Sequence, residues 1–250
     1  MHYASLFLFV LVVSSTALAR AEELAISRTF SVVAVDPKTG VCGAAVASKY
    51  PAVGRVVPHA RAGVGAFCTQ HAHVPKWGEP ALDRLAKGQS PAEALVDILR
   101  DDTHPEQRQL AMIDMRGRTA VHNPTQAPEG SEWWGAMTGK NYACQGNTLA
   151  GREVVLDMAK AFEATAGSLT DRLIAALVAG ELAGGDHRGR LAAGIRVAKT
   201  GVDGYWFELY IDESDDAVID LWKKYAATEH DAKGEWRGAQ EPWQDPRKKP

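Results

Sequence analysis

Two apolar runs, Thr29 to Val35 (TFSVVAV) and Val41 to Ser48 (VCGAAVAS), stand on either side of Asp36-Pro37-Lys38-Thr39-Gly40. Proline followed by glycine in so short a spacer signals a hairpin turn, so the runs predict two paired strands. Neither run alternates cleanly between apolar and polar, which predicts a hairpin covered on both faces. Gly63 to Gln70 (GVGAFCTQ) reads as a third strand. Two helices follow. One opens at Glu79-Pro80 and stops at Gly88; the other opens on the capping box Ser90-Pro91-Ala92-Glu93 and turns Ala94, Leu95, Ile98 and Leu99 inward. Gln109 to Asp114 and Arg118 to His122 form a second hairpin about Arg116-Gly117, and a further strand ends near Tyr142-Ala143-Cys144.

A second helix pair is predicted from Arg152 to Thr165 and from Leu169 to Ala179, with Val154, Val155, Met158 and Phe162 as the apolar face of its first member. Leu191 to Ala198 and Tyr205 to Ile211 read as strands, and Asp215 to Tyr225 as a last helix. Strands, helix pair, strands, helix pair, strands, helix: this order predicts a layered α+β sandwich in one domain, with two sheets inside and helices outside.

The ends carry different patterns. Leu6 to Val13 (LFLFVLVV) is unbroken and apolar, and Ala17-Leu18-Ala19 and Ala19-Arg20-Ala21 fit the small-x-small pattern of signal cleavage. The run is shorter than the roughly 18 residues that span a bilayer. The expected organisation is a leader over 1–21, a short pro-segment over 22–28, the domain over 29–227 and a polar tail over 228–250 that contains Trp236 and Trp243. Export to the periplasm or the medium follows, and no stable membrane insertion once the leader is removed.

With 46% apolar and 24% charged residues, the chain is neither collagenous, disordered nor a multi-span membrane protein. A net charge of −3 leaves no excess of basic side chains to displace counterions from nucleic acid. Three cysteines are too few to build a disulfide scaffold. Local motifs for a nucleophile elbow, a phosphate loop or a zinc helix are absent.

Candidate chemistry therefore rests on geometry. A turn centred on Lys38 pairs residues whose numbers sum to about 76. Thr29 then faces Ala47, with Lys49 as its diagonal neighbour, Ser31 beside it and Gly43, Ala45 and Ala47 as a small-residue floor. A hydroxyl near a lysine over such a floor is the pattern of an activated nucleophile; equally, threonine is a good strand former and lysine often ends a strand. A one-residue slip moves Lys49 to the other face. Gly184-Gly185-Asp186-His187-Arg188-Gly189-Arg190 presents an acid and two guanidinium groups, either to a site or as a loop ion pair. Gln145-Gly146-Asn147, between strand and helix, offers an amide to an oxyanion or a helix cap. His71 and His73, alternating on a strand, invite a metal, although no spacing requires one. Cys42, Cys68 and Cys144 lie in apolar strands as small core residues, with a Cys42–Cys68 bridge as an alternative.

Several separated segments resemble the bacterial family catalogued as domain of unknown function 1028, grouped with the N-terminal nucleophile (Ntn) hydrolases. They include Thr29-Phe30-Ser31-Val32-Val33-Ala34, Val46-Ala47-Ser48-Lys49, Ala60-Arg61-Ala62-Gly63-Val64-Gly65-Ala66, Thr69-Gln70, Arg108-Gln109-Leu110, Gln145-Gly146-Asn147 and the run from Gly184 to Arg190. The resemblance implies a four-layer αββα sandwich. It further implies a nucleophile freed at the N-terminus, whose own α-amine, with a reference pKa of about 7.7–8.0, serves as base. On that basis Thr29, Lys49, Asn147, Asp186 and Arg188 are the expected catalytic residues. Ser31, Ser48, Gln145 and Arg190 are expected to bind a small-molecule or peptide-like substrate, with no cofactor and no metal. Glu22 to Arg28 still precede Thr29 after leader removal, so a second cut at Arg28–Thr29 is needed. Val74-Pro75 and His122-Asn123-Pro124 depart from the family's pattern. A binding protein on the same fold and a metallohydrolase using His71 and His73 are the alternatives, and self-assembly into a homo-oligomer is open.

Overall fold

The computed structural model describes residues 29–126, 131–186 and 191–228. The first hairpin forms as β1 (Thr29–Asp36) and β2 (Val41–Ser48). It closes over four residues. Asp36 accepts the Lys38 N–H at 3.0 Å and the Thr39 hydroxyl at 2.8 Å, and Gly40, with a left-handed φ of 70°, reaches Asp36 O at 3.0 Å. A four-residue loop shifts the pairing by one from the expected register, so Thr29 faces Ser48 and Phe30 faces Ala47.

An additional strand, β3 (Pro58–Arg61), precedes the strand expected over 63–70, which forms as β4 (Gly65–Gln70). Their connecting turn is tied by Val64 N–H to Arg61 O at 3.1 Å. β5 (Gln109–Asp114) and β6 (Thr119–His122) complete an antiparallel sheet of order β3-β4-β5-β6. β7 (Trp133–Gly139), β8 (Tyr142–Leu149), β9 (Ala192–Lys199) and β10 (Phe207–Ile211) join the first hairpin in a six-stranded antiparallel sheet, β10-β9-β2-β1-β8-β7. The helices are α1 (Gly78–Ala86), α2 (Pro91–Leu99), α3 (Glu153–Ala164), α4 (Leu169–Leu182) and α5 (Ala217–Ala226). The predicted capping box at Ser90 and Glu93 forms, and Ser168 with Asp171 makes a second one for α4.

The described residues thus form a mixed α/β single domain of two antiparallel sheets and five helices. Side-chain alternation along β1 divides its core. Phe30 and Val32, with Ala45 and Ala47 of β2, pack against Met158, Phe162, Leu173, Leu177 and Trp222 of α3, α4 and α5. Val33 and Val35, with Cys42, Ala44 and Val46, pack against Ala66, Cys68, Ala111 and Ile113 of the four-stranded sheet. That sheet's outer face buries Phe67, Leu110 and Met112 against Leu82 of α1 and Leu95 of α2. No helix among the described residues is long and apolar enough to cross a membrane.

His59 on β3 is buried at the junction with α1. Its ring stands 6.2 Å from that of Phe67, and a Cβ added at Gly78 would fall 2.1 Å from its Nδ1, so glycine is what admits the imidazole. Burial first, and the Arg196 charge second, push the His59 pKa down to about 4. The unfolded chain takes up this proton near pH 6.5 and the folded one only near 4, so stability present above pH 6.5 is lost as pH falls through that window. The loss should be on the order of 2–3 kcal/mol. Urea unfolding at pH 7.5 and 4.5 should show His59→Gln losing less stability on acidification than the wild type. Equal losses would remove His59 as the cause; His71, which has a similarly lowered pKa, titrates in both proteins.

Candidate functional site

The hairpin register sends Thr29 and Ser31 into the space between the sheets, at one end of it. β1 begins at this end. β2 and β8 end beside it, with Thr29 facing both Ser48 and Asn147, while Gln70 closes β4 opposite Gln109, the first residue of β5. Thr29, Ser31, Ser48, Gln70, Gln109, Gln145 and Asn147 are all fully buried. Thr29 Oγ1 donates to Ser48 Oγ at 3.0 Å, and that oxygen also accepts the Tyr50 N–H at 3.1 Å. The Ser31 hydroxyl donates to Gln70 Oε1 at 2.6 Å and accepts from Gln145 Nε2 at 3.3 Å. Gln70 Nε2 donates to the Thr29 carbonyl at 3.2 Å, and Asn147 Nδ2 donates to Gln109 Oε1 at 2.8 Å.

Ser31, Ser48, Gln145 and Asn147 therefore converge on Thr29, in part through residues that local pattern does not single out. Gln70 and Gln109 lie in two of the segments that carry the family resemblance, but by local pattern they are only polar residues ending or starting an apolar run. Lys49 departs from its expected place: it lies past the end of β2 and is exposed, because the four-residue turn puts Ser48 opposite Thr29. The same register turns Gly43, Ala45 and Ala47 toward the helices, where a Cβ on Gly43 would come 3.0 Å from Leu173 Cδ1. The small residues admit α4; they do not floor a pocket under Thr29.

Asn147 lies within β8, not between strand and helix, and the residue preceding α3 is Arg152. Asp186 is buried and pairs with Leu149 at the end of β8, next to Ala150 N–H on Gly185 O at 3.1 Å. Leu191 N–H donates to Ser48 O at 2.8 Å. Asp186 thus lies beside β8 and Leu191 beside β2, and β1 stands between these two strands. His187, Arg188 and Arg190 lie outside the described residues, as do the expected leader, the pro-segment and the tail from residue 229.

Left-handed backbone gathers around the same end. Ala52, His71, Ala72 and Thr148 have φ of 53°, 48°, 44° and 56°. β4 stops at Gln70, so His71 and His73 sit in a turn and do not alternate along a strand. Arg108 braces that turn by donating to Ala72 O, and is itself held by Asp102 at 2.7 and 2.9 Å. This guanidinium keeps the Asp102 carboxyl below the usual carboxylate range, and burial together with the Arg108 charge pushes His71 down to about 4. Among the described residues no group of three His, Cys, Asp or Glu could hold a metal. Cys42, Cys68 and Cys144 are buried free thiols, and burial pushes all three up, Cys42 and Cys68 to about 12. An open hollow lined by Lys87, Gln89, Glu93, Val96 and Arg100 belongs to the surface of α2, not to the Thr29 end.

Ser48→Ala should cost about 1–3 kcal/mol, because it strips a buried acceptor from both the Thr29 hydroxyl and the Tyr50 amide. Lys49→Ala should stay within about 0.5 kcal/mol. Urea midpoints of the two variants check the pair, and a Lys49 effect as large as that of Ser48 would contradict the register.

The model of a family of unknown function, DUF1028, matches residues 29–221. A crystal structure of a protein from Silicibacter pomeroyi, assigned to the same family, matches with a TM-score of 0.74 and 31% identity, over 84% of this chain and 91% of that one. No curated protein matches the chain. The family match opens at Thr29, the first residue of β1, and runs into α5; the chain belongs to the DUF1028 family.

Proposed function

We propose that the chain is an exported hydrolase that cleaves an amide bond with Thr29 as an N-terminal nucleophile, and that its stack of helices, two sheets and helices is the αββα sandwich of the Ntn hydrolases. The observation that carries this reading is the place of Thr29. It starts a central strand, its hydroxyl is fixed on Ser48, and buried amide side chains meet beside it. A nucleophile on the first residue of a central strand is held by both neighbouring strands, which suits a reaction that tolerates little displacement.

In this reading the leader is removed on export and a second cut at Arg28–Thr29 frees the amine. Thr29 Oγ attacks the carbonyl carbon of a small-molecule or peptide-like substrate while the α-amine takes the hydroxyl proton and passes it to the leaving nitrogen. The Asn147 amide donates to the oxyanion, and water releases the acyl group from Thr29. Asp186, at the end of β8, and Arg188 orient the site, and Ser31, Ser48, Gln145 and Arg190 shape the substrate's surroundings. Lys49, past the end of β2 and exposed, is left out of this reading.

The intact mass and N-terminal sequence of the chain exported by its native host test the reading. A chain that starts at Thr29 is expected. One that starts at Ala21 or Glu22 leaves the amine blocked, and would replace the hydrolase with a ligand-binding protein on the same fold.

A further inference from the structure

Gln70 and Gln109 are buried side chains of the four-stranded sheet that reach into the Thr29 end, and the proposed chemistry gives them no role. Their hydrogen bonds run in one direction. The Ser31 hydroxyl donates to Gln70 Oε1 at 2.6 Å, Gln70 Nε2 donates to Gln109 Oε1 at 2.7 Å, and Gln109 Nε2 donates to Asn123 Oδ1 at 2.9 Å. Branches leave this line at each amide. Gln70 Nε2 also donates to the Thr29 carbonyl at 3.2 Å, Gln109 Oε1 accepts from Asn147 Nδ2 at 2.8 Å, and Gln109 Nε2 donates to Gly146 O at 2.8 Å and Gly135 O at 3.3 Å.

Both N–H groups of each glutamine are engaged, and so is each carbonyl oxygen. Turning either amide over would set its oxygen against a main-chain carbonyl, that of Thr29 for Gln70 and that of Gly146 for Gln109, so only one orientation is allowed. In a buried inter-sheet space such a line polarises along its length, and its cost if broken is high. Leucine or methionine at both positions would serve to keep two sheets together, as the apolar remainder of the layer does. What the amides add is direction: they fix the Thr29 main chain and the Asn147 side chain to each other from the opposite sheet.

We infer that Gln70 and Gln109 are positioning residues of the Thr29 centre, acting through the Thr29 carbonyl and the Asn147 amide. Their effect on chemistry rests on the reading of Thr29 as nucleophile; their hold on Asn147 can be measured without it.

The test uses the chain as its host exports it, in wild-type form and with Gln70→Met and Gln109→Met, near-isosteric changes that keep volume and remove the hydrogen bonds. The probe is p-nitrophenyl acetate. Thr29 Oγ forms a bond to the acetyl carbon, p-nitrophenolate departs, and the hydroxyl proton passes to the amine. Peptide mass locates the acetyl group, and the rate is resolved into its maximum and its half-saturating concentration. Both variants should lower the maximal rate about 10- to 100-fold while half-saturation stays within about two-fold. The side-chain amide protons of Asn147 should exchange slowly in the wild type and faster in both variants. Folded variants that acylate Thr29 at the wild-type rate would overturn the inference and leave the glutamines a sheet-to-sheet joint. If the wild type is not acylated at Thr29, the nucleophile reading fails by itself. Asn147 exchange then decides the positioning, with faster exchange in Gln109→Met upholding it and unchanged exchange overturning it. If neither variant folds, slow exchange of the Gln70, Gln109 and Asn147 amides in the wild type upholds the clamp, and exchange at the rate of exposed amides overturns it.

Discussion

Two buried glutamines join the sheets at the end where Thr29 begins β1, and the arrangement there follows from what burial demands of an amide. A neutral polar group taken out of water without partners costs about 1–3 kcal/mol, whereas one fully paired costs little. The inter-sheet layer meets this demand in two ways. Along most of its length it holds only small and branched apolar groups, Val33, Val35, Ala44, Val46, Ala111 and Ile113. At the Thr29 end it holds hydroxyls and amides that pair with one another and with the carbonyls of Thr29, Gly135 and Gly146, and only Gln145 Oε1 of this cluster is buried without a partner among the described residues. One strand face, reading Thr29, Ser31, Val33, Val35, passes from the second composition to the first.

Much of this was legible in the chain, though the decisive step was not. The apolar runs of β1 and β2, the turn between them and the capping box of α2 follow from patterns within a few residues. The facing of Thr29 depends on whether the hairpin loop holds an odd or an even number of residues, and Asp36 decides that. It pairs with Val41 as the last rung of the ladder while its carboxylate takes the turn's donors. Gly146-Asn147 resembles a turn in sequence, yet lies in β8, where the missing side chain at Gly146 makes room for Leu149; an added Cβ would stand 2.6 Å from Leu149 Cδ1. β3 begins on a proline and carries His59 and Arg61, so no apolar run announces it. Gln70 and Gln109 find each other across β4 and β5 and meet Thr29 and Asn147 across the sheets. Nothing in a local window encodes contacts between residues 38 or more positions apart.

The same end stores backbone strain. Consecutive left-handed residues at His71 and Ala72, neither of them glycine, are costly by roughly 1–3 kcal/mol each and persist only where other contacts fix them. Arg108 supplies such a contact at Ala72 O, and the Arg108–Asp102 pair is shielded from solvent, with side-chain exposures of 13% and 7%. A buried ion pair adds little net stability, but breaking it leaves a bare charge, so it holds a geometry better than it holds a fold. The turn it braces follows directly on Gln70. Strain in the turn and direction in the glutamine line therefore serve the same few main-chain atoms.

How a proton leaves Thr29 is the last constraint the geometry imposes. The hydroxyl's one side-chain partner among the described residues is Ser48 Oγ, which already accepts a main-chain N–H. An alcohol is far too weak a base to keep that proton at neutral pH, and no imidazole or carboxylate bonds to Thr29 Oγ1 among the described residues. Ser48 can orient the hydroxyl without activating it. In the proposed reading the role of base falls to the residue's own α-amine, near pKa 8 once it is no longer an amide nitrogen. With that nitrogen still acylated by Arg28, the described residues would give the Thr29 hydroxyl an orienting partner and no hydrogen-bonded base. Cleavage before Thr29 would then supply the missing base. The chemistry of the proposed enzyme thus turns on one peptide bond, and the amide that holds the Thr29 carbonyl would help to fix the residue whose nitrogen is freed.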